Sequence, residues 1–153
     1  MHAQSPDPHS FARPKEAVMN HLSLRLTVDF ERRVLHGTAT VRYQAAAGAR
    51  QIVLDTRDLQ INSVTRSGKP VEFVIGSDVP FLGRALTVPV ETGEGEIVIY
   101  YSTSPEAAAL QWLTPEQTDG KSKPFLFSQS QAILARTWAP VQDSPGIRFT
   151  YDA

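Results

Sequence analysis

HLSLRLTVDFERRVLHGTATVRY, residues 21–43, is the stretch whose reading decides the fold. Leu22, Leu24, Leu26, Val28 and Phe30 alternate with His21, Ser23, Arg25, Thr27 and Asp29. A period of two is the signature of a half-buried strand. Leu35, Gly37, Ala39, Val41 and Tyr43 answer it on a second strand. A four-residue loop at 31–34 sets Phe30 opposite Leu35, Val28 opposite Gly37 and Leu24 opposite Val41. A slip of one residue would put every apolar side chain opposite a polar one, so this register is strongly specified. In this register His36 lies across from Asp29, and His21 across from Gln44.

The pattern continues outward. RQIVLDT (50–56) and LQINSVTR (59–66) read as strands, and Ser67-Gly68-Lys69-Pro70 as a turn before VEFVI (71–75). RALTVPV (84–90) and EIVIYYST (96–103) predict another pair joined by the loop 91–95, with Pro89 at an edge or strand end because it cannot donate to a ladder. SPEAAALQWL (104–113) predicts a short helix, with Ser104 as N-cap, Pro105 in the first helical position and Glu106 in the first turn. FLFSQ (125–129) returns to strand character. Ahead of all this, residues 1–17 carry Pro6, Pro8 and Pro14 and read as an extended arm without a core of its own. The expected fold is all-β and mainly antiparallel. Two sheets of residues 18–153 pack face to face as a β-sandwich, with one short helix near 105–113.

Composition excludes several functions. The 153 residues suit one domain, and a formal net charge of −1 leaves no electrostatic footprint for nucleic acid or an anionic membrane. Without cysteine there is no disulfide, thiolate metal site or cysteine nucleophile. The longest apolar runs, such as 97–101, fall far short of the roughly 20 residues of a membrane helix. The N-terminus has no apolar run of a signal peptide, although a start near Ala3-Gln4 also fits the scar of one already removed. Of the four histidines, His2 and His9 fall in the arm, and His21 and His36 stand too far apart along the hairpin to share a metal. The His36–Asp29 pair reads as a solvated cross-strand contact, and Glu94 and Glu96 as exposed loop carboxylates. No H-E-x-x-H, G-x-S-x-G, phosphate-binding or dinucleotide motif occurs. The chain by itself therefore holds no hydrolytic set, and zinc should bind it only adventitiously.

FSQSQAILARTWAPVQDSPG (127–146) raises the functional question. Gln129, Gln131 and Gln142 are threaded through residues that otherwise read as core, and a buried amide is costly unless it finds partners.

The run STSPEAAALQWLTPEQTDGKSKPFLFSQSQAILARTWAPVQDSPGIRFTY (102–151) closely resembles the N-terminal domain of the leukotriene A4 hydrolase and aminopeptidase B branch of the M1 zinc aminopeptidases. HLSLRLTVDFERRVLHGTATVRY and IVLDTRDLQINSV are similar to the first strands of that domain, so the resemblance spans about residues 20 to 153. It implies a saddle-like β-domain packed on a separate helical catalytic domain that holds the zinc. It also implies that Ser130, Gln131 and Ala132 line the subsite for the first residue of a peptide substrate. Many M1 enzymes carry glutamate where Gln131 stands. A glutamine still offers an acceptor to the substrate's α-ammonium, but without the charge assistance that roughly doubles such a bond. That charge would come from glutamates of the catalytic domain.

Gln129 reads as a partner for backbone or interface groups. Arg136 and Gln142 either brace the Asp143-Ser144-Pro145-Gly146 turn or sit on the interdomain face, which is favoured for Arg136. Trp138 is a further interdomain candidate, and Trp112 reads as core. The family's zinc motif would lie beyond residue 153, and its N-terminal domain continues for several strands past FTYDA. The chain is thus expected to be a fragment or a truncated product, prone to self-association through an open strand edge or the uncovered face near Leu134 and Trp138. The resemblance implies a soluble, cytoplasmic protein, with a periplasmic or secreted setting if a signal peptide was removed. A free-standing β-sandwich binding or scaffold module without catalysis is the competing reading. A downstream H-E-x-x-H with a glutamate about twenty residues later would select the aminopeptidase.

Overall fold

A computed structural model describes residues 7–153; the first six residues of the arm, with His2 and Ala3-Gln4, lie outside the described residues. The hairpin of β1 (Ala17–Asp29) and β2 (Val34–Ala45) is the spine. β1 begins at Ala17, and a bulge at Asn20 shifts the register between Met19 and His21. Such a bulge keeps Met19 on the same buried face as Leu22 and Leu24.

The pairing differs from expectation by two residues. Val28 faces Leu35, Leu24 faces Ala39, Thr27 faces His36 and His21 faces Arg42, and the loop is 30–33. A shift of two keeps every side chain on its face, so hydrophobic alternation cannot distinguish the two registers. The turn itself decides. The Asp29 carboxylate accepts the Arg32 N–H at 2.9 Å, and Arg33 takes a left-handed φ of 55°. Phe30 leaves the ladder and meets Trp112 edge-to-face, ring centroids 5.6 Å apart.

β3 (Gln51–Thr56), β4 (Gln60–Arg66), β5 (Lys69–Val71), β6 (Val74–Ile75), β7 (Arg84–Pro89) and β8 (Gly93–Ser102) follow. β9 (Leu110–Leu113), β10 (Phe125–Ser128) and β11 (Thr150–Asp152) complete the strands. Six strands form the large sheet in the order β11-β1-β2-β8-β4-β5, and β3-β7-β6 form a smaller one. The predicted pairing of β7 with β8 is corrected: β7 lies between β3 and β6, and β8 between β2 and β4. Both strands bury alternate residues, Leu86 and Val88 on one, Ile97, Ile99 and Tyr101 on the other. Those faces meet from opposite layers, so the short link between them crosses the sandwich instead of closing a hairpin. Pro89 ends β7, where its missing donor leaves no gap. The main core is this interlayer space, filled also by Val41, Tyr43, Ile52 and Leu54.

Gly37, in the first third of β2, has φ +152°, and a Cβ there would overlap the Arg25 carbonyl oxygen.

The helix expected at 104–113 does not form. Ser104 does act as a cap, its Oγ accepting the Glu106 N–H, but the chain makes two successive turns and then strand β9, paired with β10. Tertiary partners override the alanine propensity. The Ala109 N–H donates to Thr137 Oγ1 and its carbonyl accepts from Gln129 N, while Ala107 and Leu110 fill a satellite core with Leu35. Trp112 is half-buried at that satellite. No helix among the described residues is long and apolar enough to cross a membrane.

β11 lies parallel to β1 at the sheet edge and is clipped there by side chains. Ser23 Oγ donates to Asp152 Oδ2 at 2.8 Å, His21 Nε2 lies 2.9 Å from the same oxygen, and His21 Nδ1 lies 2.7 Å from Thr150 Oγ1. Serine, histidine and aspartate are together, but carboxylate and hydroxyl share one ring nitrogen and the serine proton points at the carboxylate. A nucleophilic triad needs them on opposite nitrogens; this cluster is a surface clip. The Ser23 and His21 hydrogen bonds hold the Asp152 carboxyl below its ordinary 3.8. A depressed carboxyl gives stability that is complete above the ordinary value and lost as pH falls through the lower folded one. In an acid titration, amide exchange at 150–152 should therefore accelerate before exchange in the β2–β8 ladder. Release of β11 while the carboxylate is still fully ionised would contradict the clip.

Candidate functional site

The segment after β10 turns back on itself and carries the sequence-predicted residues on its outer side. Gln129 N donates to Ala109 O at 2.8 Å, which fixes the entry, and Leu134 N donates to Ser130 O at 2.9 Å, which closes the turn. A 3₁₀ turn, Ala135–Thr137, follows. Ser130 is half-buried, its Oγ accepting the Trp138 Nε1–H at 3.0 Å. Gln131 and Ala132 are exposed. The Gln129 amide oxygen accepts the Gln131 N–H at 3.0 Å, a local side-chain bond that shapes the turn. The Gln131 side chain makes no hydrogen bond among the described residues, so its amide faces outward with donor and acceptor both available.

The three glutamines thus differ in kind. Gln142 is 1% exposed. Its Oε1 accepts the Met19 N–H at 2.9 Å, and its Nε2 donates to Ala17 O and Val53 O at 3.0 and 3.1 Å. It substitutes for a strand between the two sheets, satisfying backbone groups that no ladder reaches.

Arg136 departs most from expectation. Its side chain is 0% exposed, so neither it nor Gln142 supplies an interdomain contact. Nε donates to Asp143 Oδ2 at 3.1 Å, Nη1 to Leu82 O at 3.0 Å, and Nη2 to His9 O at 2.8 Å and Asp143 O at 2.9 Å. Asp55 Oδ1 lies 3.8 Å from Nη1. Two carboxylates against one guanidinium leave excess negative charge, and hydrogen bonds answer it. Asp55, also 0% exposed, accepts Ser10 Oγ–H at 2.6 Å, Phe11 N–H at 2.7 Å and Asp143 N–H at 2.8 Å. Burial pushes the Asp143 carboxyl above the ordinary aspartate value, against the pull of its Arg136 bonds. A lone arginine beside a D-S-P-G turn was the only sequence signal for this hub, and Asp55 gave none. Trp138 is half-buried and packs against both cores, and its carbonyl accepts the hydroxyl of Tyr101 at 2.9 Å.

Among the described residues no group of three or more His, Cys, Asp or Glu stands together that could hold a metal ion. The fold and this loop define the class: a β-domain of two packed sheets that displays a braced polar loop.

The chain belongs to the peptidase M1 N-terminal domain family, whose model matches residues 18–153. It is 40% identical over 151 residues to a leukotriene A-4 hydrolase of Xenopus laevis, an alignment covering 95% of this chain and 25% of the relative. It is 36% identical to a leucine aminopeptidase 2 of Yarrowia lipolytica, covering 95% of this chain and 23% of that protein. The structure of a yeast LTA4 hydrolase in complex with bestatin superposes with a TM-score of 0.88 at 29% identity, over 99% of this chain and 25% of that one. The chain spans about a quarter of the length of these relatives.

Proposed function

We propose that this domain lines the pocket for the substrate's N-terminus in a zinc aminopeptidase and packs on that enzyme's catalytic domain. The observation that carries the reading is Gln131. On a loop whose entry, turn and exit are all hydrogen-bonded, it alone holds out an unengaged amide. Its Oε1 accepts an N–H of the peptide's α-ammonium, while Ser130 and Ala132 form the neighbouring wall. The described residues do not fit a zinc site, and on this reading the parent enzyme's metal belongs to its catalytic domain. Phe125 and Phe127, about half exposed on the strand that leads into the loop, give an apolar face suited to the catalytic domain. A soluble, cytoplasmic setting goes with the same reading.

Kinetics in the full-length enzyme test the assignment. Gln131→Ala should lower kcat/KM by about 1–3 kcal/mol, the scale of a hydrogen bond lost at a polar site, with little change in Tm. Gln129→Ala removes only a brace on the loop and should cost less. Equal or greater loss at Gln129 would transfer the role to it. The scaffold-module reading predicts no kinetic effect from either change.

A further inference from the structure

We propose that His9–Phe11 of the N-terminal arm form a strap that positions the 129–132 loop, acting through Asp55 and Arg136. The inference rests on the pocket reading above and adds positioning residues to it. Composition alone gives the arm no core, yet at residues 9–11 it contributes three hydrogen bonds to Arg136 and Asp55, both fully buried. These are His9 O to Arg136, Ser10 Oγ to Asp55 and Phe11 N to Asp55. Two of the three hydrogen bonds that the structure gives the Asp55 carboxylate thus come from the arm. A buried carboxylate that loses donors stays charged only at high cost, and the groups around it must move.

Arg136 is what moves with it. Its guanidinium joins the arm, the loop at Leu82 and the turn at Asp143, and its carbonyl accepts Arg57 N–H at 2.8 Å. The same residue sits in the middle of the 3₁₀ turn that ends the candidate loop. From there the connection to Ser130 is short: Leu134 N donates to Ser130 O, and Trp138 Nε1 to Ser130 Oγ. The loop therefore has one anchor at Ala109 and one at this hub, and the arm completes the hub. Ser10, Phe11, Asp55 and Arg136 are positioning residues; none of them reaches the exposed face where Gln131 lies.

Ser10→Ala, with Ser10→Thr as the variant that keeps the hydroxyl, gives a mild test that should not unfold the domain. In the full chain, backbone amide exchange at Leu134 and Trp138 should rise about tenfold in Ser10→Ala, the scale of a lost hydrogen bond to a charged group. Exchange at Val41 and Ile99 in the β2–β8 ladder should hold, and Ser10→Thr should restore the wild-type rates. In the full-length enzyme the same substitution should raise KM for peptides severalfold while kcat is held. Unchanged exchange at Leu134 and Trp138, or a uniform rise that includes the ladder, overturns the strap. Gln131→Ala, measured alongside, separates the two readings. If it raises KM and Ser10→Ala does not, the inference fails; if Gln131→Ala also leaves KM unchanged, the pocket reading itself has failed.

Discussion

Replacing Arg136 with methionine should destabilise the domain by about 3–5 kcal/mol, the range for removing one partner of a buried ion pair. The size follows from what remains. Asp55 and Asp143 would stay inside with no cation between them, and the carbonyls of His9 and Leu82 would lose their donor. Methionine fills the space, so the loss reports on charge and hydrogen bonding more than on a cavity. Lysine should not rescue, because a point charge with three donors cannot span four segments as a planar fork does. Chemical denaturation checks this at unchanged m-value. Arg42→Ala is the contrast: its partner Glu96 is 47% exposed, and such a pair contributes only about 0–1 kcal/mol. Equal losses at the two arginines would mean that the hub is no more than a surface contact.

Gln142→Ala should come next, at about 2–4 kcal/mol, since a buried group left without its partner costs on the order of 1–3 kcal/mol. Three backbone groups depend on this one amide: Met19 N–H, Ala17 C=O and Val53 C=O. They belong to the first strand of each sheet, so the side chain stitches the two layers where the ladders cannot. Gln142→Glu should be worse than its near-identical shape suggests, because the acid loses the Nε2 donor and faces two carbonyls. Thermal and urea unfolding read both variants. A loss below about 0.5 kcal/mol, the level of an ordinary surface substitution, would show that water replaces the amide freely.

The contrast among these residues shows where sequence reading succeeds. The long strands were visible because β1, β2, β7 and β8 each bury alternate residues, and β3, buried along nearly its whole length, showed instead as a short apolar run. The hairpin register was not visible, because a shift of two preserves alternation and the outcome lay in the Asp29–Arg32 turn. The helix at 104–113 failed for a related reason. Alanines favour helix locally, but Ala109 is committed at both N–H and C=O to residues 129 and 137, which no local window contains. The β7–β8 pairing failed because adjacency in sequence cannot say which layer a strand joins. In the loop, Ser130, Gln131 and Ala132 came only through resemblance to a family, and the structure adds which of the glutamines is free. The hub was hidden because its members, residues 9–11, 55, 82, 136 and 143, are scattered across the chain and buried polar networks leave no periodicity.

The central claim is that Gln131 meets the substrate's α-amine, and a binding cycle in the full-length enzyme tests it most directly. Inhibition constants would be measured for a peptide inhibitor and for its analogue with the α-amine replaced by hydrogen, against wild type and Gln131→Ala. If the contact exists, the substitution weakens the amine-bearing inhibitor by about tenfold or more and leaves the analogue nearly unaffected, giving a coupling of roughly 1–2 kcal/mol. Equal weakening of both inhibitors, or of neither, would contradict the account.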